Sequence, residues 1–331
     1  MLNVAFFSTT KTDKQLFESV PCPPRIKLTF FEVHLTEKTA PLTQGFDAVC
    51  VFVNDQLNHT VVAQIARLGV KLITLRCAGF NNIDHHAVKE FGLTVLRVPA
   101  YSPMAVAEHA LALMMSLNRK TYRAYNRIRD SNFTLEGLLG FDMFNKTAGI
   151  IGTGRIGQEM ARILSGIGLK VLAYDPFPNT AIAPYADYVS LDTLYQHSDI
   201  ISLHVPLLAD THHLINAEAI AKMKRGVMLI NTSRGALTDA QALINGLKTS
   251  HIGYLGIDVY EQEEHLFFED HSEEIIQDDI FERLVTFPNV LITAHQAFFT
   301  QEALNQIAAT TLKNLTDFEQ GKLPRENCVQ C

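Results

Sequence analysis

The chain lacks the features that mark membrane proteins and nucleic-acid-binding proteins. No segment approaches the roughly 20 consecutive apolar residues that a membrane-spanning helix needs, so we expect no transmembrane segment. Positive charge is not in excess, because 28 Lys and Arg residues stand against 35 Asp and Glu residues and the formal net charge is −7. A nucleic acid or an anionic membrane would require a basic surface, so we expect neither as a partner.

Cysteine is also scarce, and its five copies are an odd number. Cys50 and Cys77 lie in apolar stretches, which favours a reducing compartment, the cytoplasm. Cys328 and Cys331 form a CxxC pair at the end of the sequence, but no second pair accompanies it. We interpret that end as a frayed tail and expect no metal site. The apolar N-terminus lacks a basic region and a cleavage site, so it predicts a buried strand rather than a signal peptide.

Apolar runs of strand length alternate with helical patterns along the 331 residues, which are enough for two domains. This alternation predicts an α/β fold with doubly wound parallel sheets and two Rossmann-like or flavodoxin-like domains. Five strands are predicted before a glycine-rich motif at residue 152. Such a motif follows the first strand of its own sheet, so the five earlier strands belong to a separate domain. The predicted strands of this first domain are 3–8, 27–31, 48–53, 71–75 and 94–98.

Six further strands are predicted from residue 148 onward, the number that a doubly wound dinucleotide-binding sheet requires. A long helix is predicted from 104 to 129, a polar excursion from 261 to 282, and a last helix from 301 to 321 that returns to the first domain. We therefore predict a discontinuous substrate domain, 1–100 plus 298–331, and an NAD-binding domain, 101–297. The six strands are 148–151, 170–174, 200–204, 227–231, 254–258 and 290–292.

The glycine-rich motif, Gly152-Thr153-Gly154-Arg155-Ile156-Gly157, lies between an apolar run and a helical pattern. In such a motif the first glycine permits a tight turn, the second lets the backbone approach a pyrophosphate, and the third lets the helix pack close to the strand. The N-terminus of the helix supplies free N–H groups for phosphates. Asp175 follows the next apolar run, where a carboxylate can accept hydrogen bonds from an adenosine ribose.

Asp175 also indicates which dinucleotide binds. A carboxylate at the ribose repels a 2′-phosphate, and the residues that follow, Pro176-Phe177-Pro178, offer no arginine to receive one. The sequence therefore predicts NAD rather than NADP as the cofactor.

Ligands of parallel sheets bind beyond the carboxyl ends of the strands. Arg234 follows one predicted strand, Glu261 and Glu263 follow the next, and His295 follows the last. A guanidinium can grip a carboxylate and polarise the adjacent carbonyl, an imidazole can donate a proton to the carbonyl oxygen, and an acid can orient the imidazole. This trio is typical of hydride transfer to a 2-keto acid, with either glutamate able to serve as the acid.

With these residues in place, the sequence resembles the D-2-hydroxyacid dehydrogenase family, and within it the NAD-dependent fermentative D-lactate dehydrogenases. The resemblance extends over nearly the whole chain. Its further motifs are Asn231-Thr232-Ser233-Arg234-Gly235, Asp258-Val259-Tyr260-Glu261-Gln262-Glu263, Thr293-Ala294-His295-Gln296-Ala297-Phe298 and Leu266-Phe267-Phe268-Glu269-Asp270.

The resemblance implies two domains that close over the substrate in a cleft, and it implies a role for each matching residue. His295 would be the proton donor, Glu263 its partner, and Arg234 the group that orients and polarises the substrate. A homodimer or homotetramer is also expected. The implied NAD-binding residues are Gly152, Gly154, Arg155, Ile156, Gly157, Asp175, Val205, Pro206, Thr232, Ser233, Arg234 and Asp258. The implied substrate-binding residues are Arg76, Ala78, Gly79, Tyr101, Arg234, His295 and Phe299.

The sequence leaves other functions open. The same chemistry serves reductases of glyoxylate, hydroxypyruvate or branched 2-keto acids. Sequence alone does not distinguish a pyruvate reductase from these enzymes. A non-catalytic NAD-sensing protein, like the corepressor relatives of the family, would have no need of the three site residues. Formate oxidation on the same fold would have no need of an acid paired with the histidine.

Overall fold

The computed structural model describes residues 1–263 and 266–329. The chain divides into two compact units, Met1–Ser102 with Phe299–Cys331, and Pro103–Phe298. The strands in chain order are β1 (Leu2–Phe6), β2 (Ile26–Phe30), β3 (Ala48–Val51), β4 (Leu72–Leu75), β5 (Thr94–Leu96), β6 (Thr147–Ile151), β7 (Lys170–Tyr174), β8 (Asp187–Tyr188), β9 (Ile200–Leu203), β10 (Val227–Asn231), β11 (Ile252–Ile257) and β12 (Val290–Ile292).

Eleven α-helices lie between and after these strands in the described part of the chain. They are α1 (Lys11–Ser19), α2 (His59–Arg67), α3 (His85–Glu90), α4 (Pro103–Arg119), α5 (Thr121–Arg129), α6 (Arg155–Gly166), α7 (Leu191–His197), α8 (Ala217–Lys222), α9 (Ala240–Lys248), α10 (Asp279–Val285) and α11 (Gln301–Glu319). Within the residues described, none of these helices is both long and apolar enough to cross a membrane.

The first unit is built on a five-stranded parallel sheet with the order β2-β1-β3-β4-β5, which is the order of flavodoxin-like sheets. Successive residues of a strand point to opposite faces of the sheet, so a run of apolar residues can be buried on both faces. Val4 and Phe6 of β1 pack on one face with Leu315 of α11. Ala5 packs on the other face with Val62 of α2. Helices therefore cover both faces of this sheet.

The C-terminal segment extends this sheet, which corrects the expectation of a frayed tail. Cys328 forms an antiparallel bridge with Leu96 of β5, and the amide of Val329 donates to the carbonyl of Val95 at 3.0 Å. The buried side chain of Asn327 donates to Asn314 of α11 at 2.7 Å. Pairing of its backbone and burial of its amide thus hold the segment in place up to Val329. Cys331, the second residue of the CxxC pair, lies outside the described residues.

The second unit is built on a seven-stranded parallel sheet with the order β12-β11-β10-β9-β6-β7-β8. Its first six strands in chain order follow the dinucleotide-binding arrangement 3-2-1-4-5-6, and β12 is added beyond them. The predicted count of six strands was too low, because β8 has only two residues and produces no apolar run. The predicted fold class, α/β with doubly wound parallel sheets, is confirmed.

The helix predicted from 104 to 129 is two helices. Lys120 adopts a left-handed conformation with φ of 49° and separates α4 from α5. Buried side chains are spaced along α4 as far as Asn118, whereas α5 has no buried residue. Neither glycine nor proline marks the break in the sequence, so the pattern provides no signal for it.

Gly157 determines how closely α6 packs against the turn that precedes it. A methyl group on Gly157 would lie 2.0 Å from the carbonyl oxygen of Gly152, a backbone atom that cannot rotate away. We therefore expect Gly157→Ala to lower the free energy of unfolding by about 1–3 kcal/mol, as measured by urea titration. Gly166→Ala, at the other end of α6, is the control, because its methyl group would meet no described atom within 4 Å. Equal destabilisation by both variants would contradict this account.

Candidate active site

The glycine-rich turn lies where the structure brings β6, β9 and α6 together. Gly152 has a φ of 97°, and a methyl group there would lie 2.4 Å from the carbonyl oxygen of His204. Val205, the residue after His204, also contacts this position, with its Cγ1 2.8 Å from the same methyl position. The turn thus requires glycine for its conformation and for close packing. It places Val205, a predicted NAD-binding residue, beside the motif.

The N-terminus of α6 is open to a ligand. Gly154 is the N-cap residue and no side chain caps this helix end among the residues described. A methyl group on Gly154 would meet no described atom within 4 Å, and Arg155 in the first turn is exposed. The uncapped N–H groups and the positive end of the helix dipole favour a phosphate at this position.

Asp175, which follows β7, is held directly beside the glycine turn. Its Oδ2 accepts hydrogen bonds from the backbone N–H of Thr153 at 2.7 Å and from the Thr153 hydroxyl at 3.1 Å. Its Oδ1 accepts from the backbone N–H of Phe177 at 2.9 Å. The carboxylate is partly exposed, and these bonds fix it at the carboxyl end of the sheet.

The ends of β9 and β10 carry buried polar atoms that are unsatisfied by the described residues. Thr232 Oγ1 and His204 Nδ1 are both buried and have no hydrogen-bond partner there. Burial lowers the pKa of His204 to about 4, so the ring is neutral at physiological pH, and its Nε2 lies 2.9 Å from the Ser202 hydroxyl. Unsatisfied buried polar atoms are costly, so they suggest groups that a ligand would satisfy.

Arg234 directly follows the loop after β10 and is held from its backbone. The side-chain amide of Asn231 donates to the carbonyl of Arg234 at 2.8 Å, while the Arg234 guanidinium donates to the carbonyl of Ser233 at 2.6 Å. Within the described part of the chain, no carboxylate forms an ion pair with Arg234. Most of its five N–H donors are therefore available to a ligand.

His295 and Glu263 form a close pair on neighbouring strand ends. Nδ1 of His295 lies 2.7 Å from Oε1 of Glu263, and Oε2 of Glu263 accepts from the backbone N–H of Tyr260 at 2.9 Å. An ionised carboxylate can only accept, so Nδ1 carries the hydrogen and Nε2 is left for a substrate. Phe268, with its ring centroid 5.9 Å from that of His295, lines the imidazole on one side.

The structure distinguishes the two competing glutamates. Glu261 does not pair with His295; its Oε1 lies 2.7 Å from Nε2 of His213. Its neighbourhood is fixed by Gly235, where a methyl group would lie 2.2 Å from the carbonyl oxygen of Tyr260. Glu263 is therefore the acid that pairs with His295.

Asp258 supports the loop that carries His295, a task that the sequence did not indicate. Its carboxylate is completely buried. Its Oδ1 accepts from the Thr293 hydroxyl at 2.5 Å and from the backbone N–H of Gln296 at 2.9 Å, and its Oδ2 accepts from that of Ala297 at 2.8 Å. With these hydrogen bonds, the carboxylate positions the loop. The contact of Asp258 with NAD stays a prediction.

His109 completes this network and was missed by the sequence analysis. Its Nε2 lies 3.0 Å from the Thr293 hydroxyl and 3.4 Å from Oδ1 of Asp258. The residue lies in the apolar helix α4, where a lone histidine gives no sign of its partners. In the sequence, the only sign of a special role for His109 is that it follows Glu108 within an otherwise apolar run.

In the first unit, the structure shows a structural role for Arg76, and its substrate-binding role stays a prediction. Its guanidinium is buried and donates to the carbonyls of Phe7 at 3.0 Å and Ser8 at 2.6 Å. It also lies 5.0 Å from the ring centroids of Phe6 and Phe52. Arg76 therefore joins the ends of β1 and β4, because backbone carbonyls that leave a parallel sheet need donors.

The loop after β4 offers two backbone donors for an anion. The carbonyl of Ala78 accepts from Arg97 at 2.7 Å and that of Gly79 accepts from the thiol of Cys77 at 3.3 Å. The amides of Ala78 and Gly79 donate to none of the described residues. Of the remaining predicted substrate contacts, Tyr101 is partly buried and Phe299 is exposed, both within this first unit.

Known proteins resemble this chain over nearly its whole length. The family model described as D-isomer specific 2-hydroxyacid dehydrogenase, NAD binding domain, matches residues 111–297. The D-lactate dehydrogenase of Escherichia coli (strain K12) is 54% identical over 322 residues, covering 97% of this chain and 98% of that protein. The apo-structure of D-lactate dehydrogenase from Escherichia coli aligns with a TM-score of 0.90 and 51% identity, covering 99% of this chain and 100% of that one.

A structure of D-lactate dehydrogenase from Aquifex aeolicus complexed with NAD and lactic acid aligns with a TM-score of 0.86 and 34% identity, covering 99% of both chains. NAD fits the residues present here, because the uncapped helix end, the ribose-side carboxylate of Asp175 and the unsatisfied Thr232 hydroxyl lie at the ends of one sheet. The predicted resemblance and the NAD cofactor are confirmed. The chain belongs to the D-isomer specific 2-hydroxyacid dehydrogenase family and is an NAD-dependent oxidoreductase.

Proposed function

We propose that this protein is a D-lactate dehydrogenase that reduces pyruvate with NADH. The observation that carries the proposal is the His295–Glu263 pair at 2.7 Å, which follows β11 and β12 on the sheet that holds the dinucleotide motif. Arg234 follows β10, the next strand in the order of the sheet. The names of the relatives support pyruvate and D-lactate as the reacting pair.

Arg234 is proposed to bind the substrate and polarise its keto group. The planar fork of the guanidinium matches a carboxylate, and its positive charge stabilises negative charge that develops on the carbonyl oxygen. The amides of Ala78 and Gly79, which have no acceptor among the described residues, would bind the substrate carboxylate. Tyr101 and Phe299 would form apolar walls for the methyl group. NADH, when bound, supplies the hydride that reduces the keto carbon.

His295 is proposed to supply the proton. Glu263 accepts the Nδ1 hydrogen and so holds the ring in one orientation, which leaves Nε2 as the atom that donates to the carbonyl oxygen. The negative charge of Glu263 also stabilises the protonated imidazole that exists before transfer. In the reverse direction, Nε2 would accept the proton of the D-lactate hydroxyl.

For the cofactor, we propose that the glycine turn with Arg155 and Ile156 binds the pyrophosphate and that Asp175 binds the adenosine ribose. Val205, Pro206, Thr232 and Ser233 would contact the remainder. Thr232 supports this assignment through its buried, unsatisfied hydroxyl.

We also propose a cytoplasmic location and a homo-oligomer, either a dimer or a tetramer. The buried thiols of Cys50 and Cys77 are compatible with a reducing compartment. Apolar side chains are exposed along α5 and the segment after it, which folds back so that Arg127 donates to the carbonyl of Glu136 at 2.6 Å. Such a concentration of exposed apolar residues is typical of a subunit interface. The exposed residues are Tyr125, Ile128, Phe133, Leu135, Leu139 and Phe144.

We expect His295→Gln to lower the turnover number for pyruvate by about 10²- to 10⁴-fold, because the general acid is lost. NADH affinity should change little, as measured by fluorescence titration, because His295 is not a proposed cofactor contact. His197→Gln, on the exposed face of α7, is the control and should retain full turnover. Turnover of the His295 variant close to that of the unaltered protein would exclude His295 as the proton donor.

We expect Arg234→Lys to lower kcat/KM for pyruvate by at least about tenfold, since a point charge cannot replace a planar fork. Steady-state kinetics with pyruvate and with a branched 2-keto acid would measure both the loss and the substrate preference. Arg283→Lys, at an exposed position in α10, serves as the control. A higher kcat/KM for the branched acid in the unaltered protein would reassign the substrate, and unchanged kinetics in the variant would remove Arg234 from the site.

The proposed interface predicts that Leu135→Glu combined with Leu139→Glu lowers the mass of the assembly in light scattering. Both leucines are highly exposed in the single chain, and a buried charge at an interface is costly. Ile275→Glu is the matched control, because Ile275 and Leu139 are both 85% exposed. A monomeric unaltered protein, or an unchanged mass in the double variant, would contradict the proposal.

A further inference from the structure

A second cluster of ionisable side chains lies in the second unit, apart from the His295–Glu263 pair. His212 and His213 lie in the segment after β9, and Glu261 lies after β11. Nε2 of His213 is 2.7 Å from Oε1 of Glu261, and the rings of the two histidines are stacked with centroids 4.0 Å apart. One ligand atom of each residue lies within 4.8 Å of the corresponding atoms of the other two.

The backbone brings the two imidazoles to the same side of the chain. Consecutive residues of an extended segment point in opposite directions, so adjacent histidines ordinarily do not converge. His213 instead has a φ of 49°, in the left-handed region that non-glycine residues rarely adopt. A hydrogen bond at 2.8 Å from its backbone N–H to the carbonyl of Ala236 fixes this conformation. Such conformations persist only where the surroundings hold them, and they concentrate at functional sites.

The proposed reaction uses none of these three residues. Glu261 was a candidate partner for His295, but Glu263 occupies that place and Glu261 pairs with His213 instead. The side chains of His213 and Glu261 are 33% and 28% exposed, and His212 is more exposed still. An ion from solvent can therefore reach the cluster, and water can complete its coordination.

We propose that His212, His213 and Glu261 form a binding site for a divalent transition-metal ion of the zinc class. Two imidazole nitrogens and one carboxylate oxygen are a ligand set that Zn²⁺ accepts, with a fourth position open to water. Tetrahedral zinc holds its ligand atoms about 3.3 Å apart. For binding, the His213 and Glu261 atoms would separate slightly, and the His212 ring would rotate out of its stack with the His213 ring so that a nitrogen of each ring points at the ion. The site revises the expectation, drawn from the sequence, that the chain binds no metal.

A metal ion at this position would join two segments that flank the proposed catalytic residues. His213 is bonded through its amide to Ala236, two residues after Arg234, and Glu261 lies two residues before Glu263. The ion would therefore cross-link the segment after β9 to the segment after β11. Because the folded chain assembles the ligands, binding should raise the melting temperature. The site does not depend on which 2-keto acid the protein reduces.

The test uses the full chain after treatment with a chelator, titrated with Zn²⁺ against a chromophoric competitor. His213→Asn removes the imidazole and keeps a residue that tolerates the left-handed conformation. Glu261→Gln removes the charge and keeps the size, and His212→Ala removes the third ligand. The control is His86→Asn in the first unit, where His59 and His86 lie 3.1 and 3.8 Å from Oε2 of Glu90 in a similar surface set.

We expect the unaltered chain to bind stoichiometric Zn²⁺ with a raised melting temperature, and each of the three variants to bind at least about tenfold more weakly. The His86 variant should bind like the unaltered chain, and NADH affinity in all four should match it, which shows that they fold. Substitution with Co²⁺ should give a visible spectrum of nitrogen and oxygen ligation without thiolate bands. Absence of binding, binding unchanged in the three variants, or loss only in the His86 variant would overturn the proposal.

Discussion

In the second unit, the loops after β11 and β12 depend on the hydrogen bonds that the buried carboxylate of Asp258 accepts. It accepts hydrogen bonds from the backbone N–H groups of Gln296 and Ala297 and so fixes the loop that carries His295. His295 itself has a φ of 51°, a conformation that needs support from its surroundings. The carbonyl of Asp258 provides further support by accepting from the N–H of His295 at 2.7 Å. One residue thus holds the loop through side chain and backbone, and Glu263 then orients the ring.

Parallel strands made much of this site predictable from sequence. Their carboxyl ends meet at one edge of a sheet, so residues that follow separate apolar runs can be expected to lie close together. The neighbouring order β12-β11-β10 brings Glu263 and His295 together in this way. The glycine motif was predictable for the same reason, because Gly152 and Gly157 meet backbone atoms that leave no room for a side chain.

Other features could not be predicted, because they depend on contacts between distant residues. Arg76 has a side chain suited to binding an anion, yet its guanidinium donates to the carbonyls of Phe7 and Ser8, the two residues after β1, and sequence spacing does not reveal these contacts. The break at Lys120 has no glycine or proline signal. His109 appears in the sequence as one polar residue in an apolar helix, and only the fold places it beside Thr293. The family resemblance favoured Glu263 over Glu261 as the partner of His295, but residue spacing could not decide between them. In the structure Glu263 pairs with His295 and Glu261 pairs with His213.

The antiparallel bridge between Cys328 and Leu96 has a consequence for how the protein behaves in concentrated solution. β5 is the last strand of the first sheet, and an uncovered edge strand is a template for pairing with another molecule. Here Cys328 and Val329 occupy that template, in the orientation opposite to the rest of the sheet. Removal of the segment that contains Cys328 and Val329 would uncover hydrogen-bonding groups at that edge, and the altered protein would become prone to self-association without any change in its chemistry.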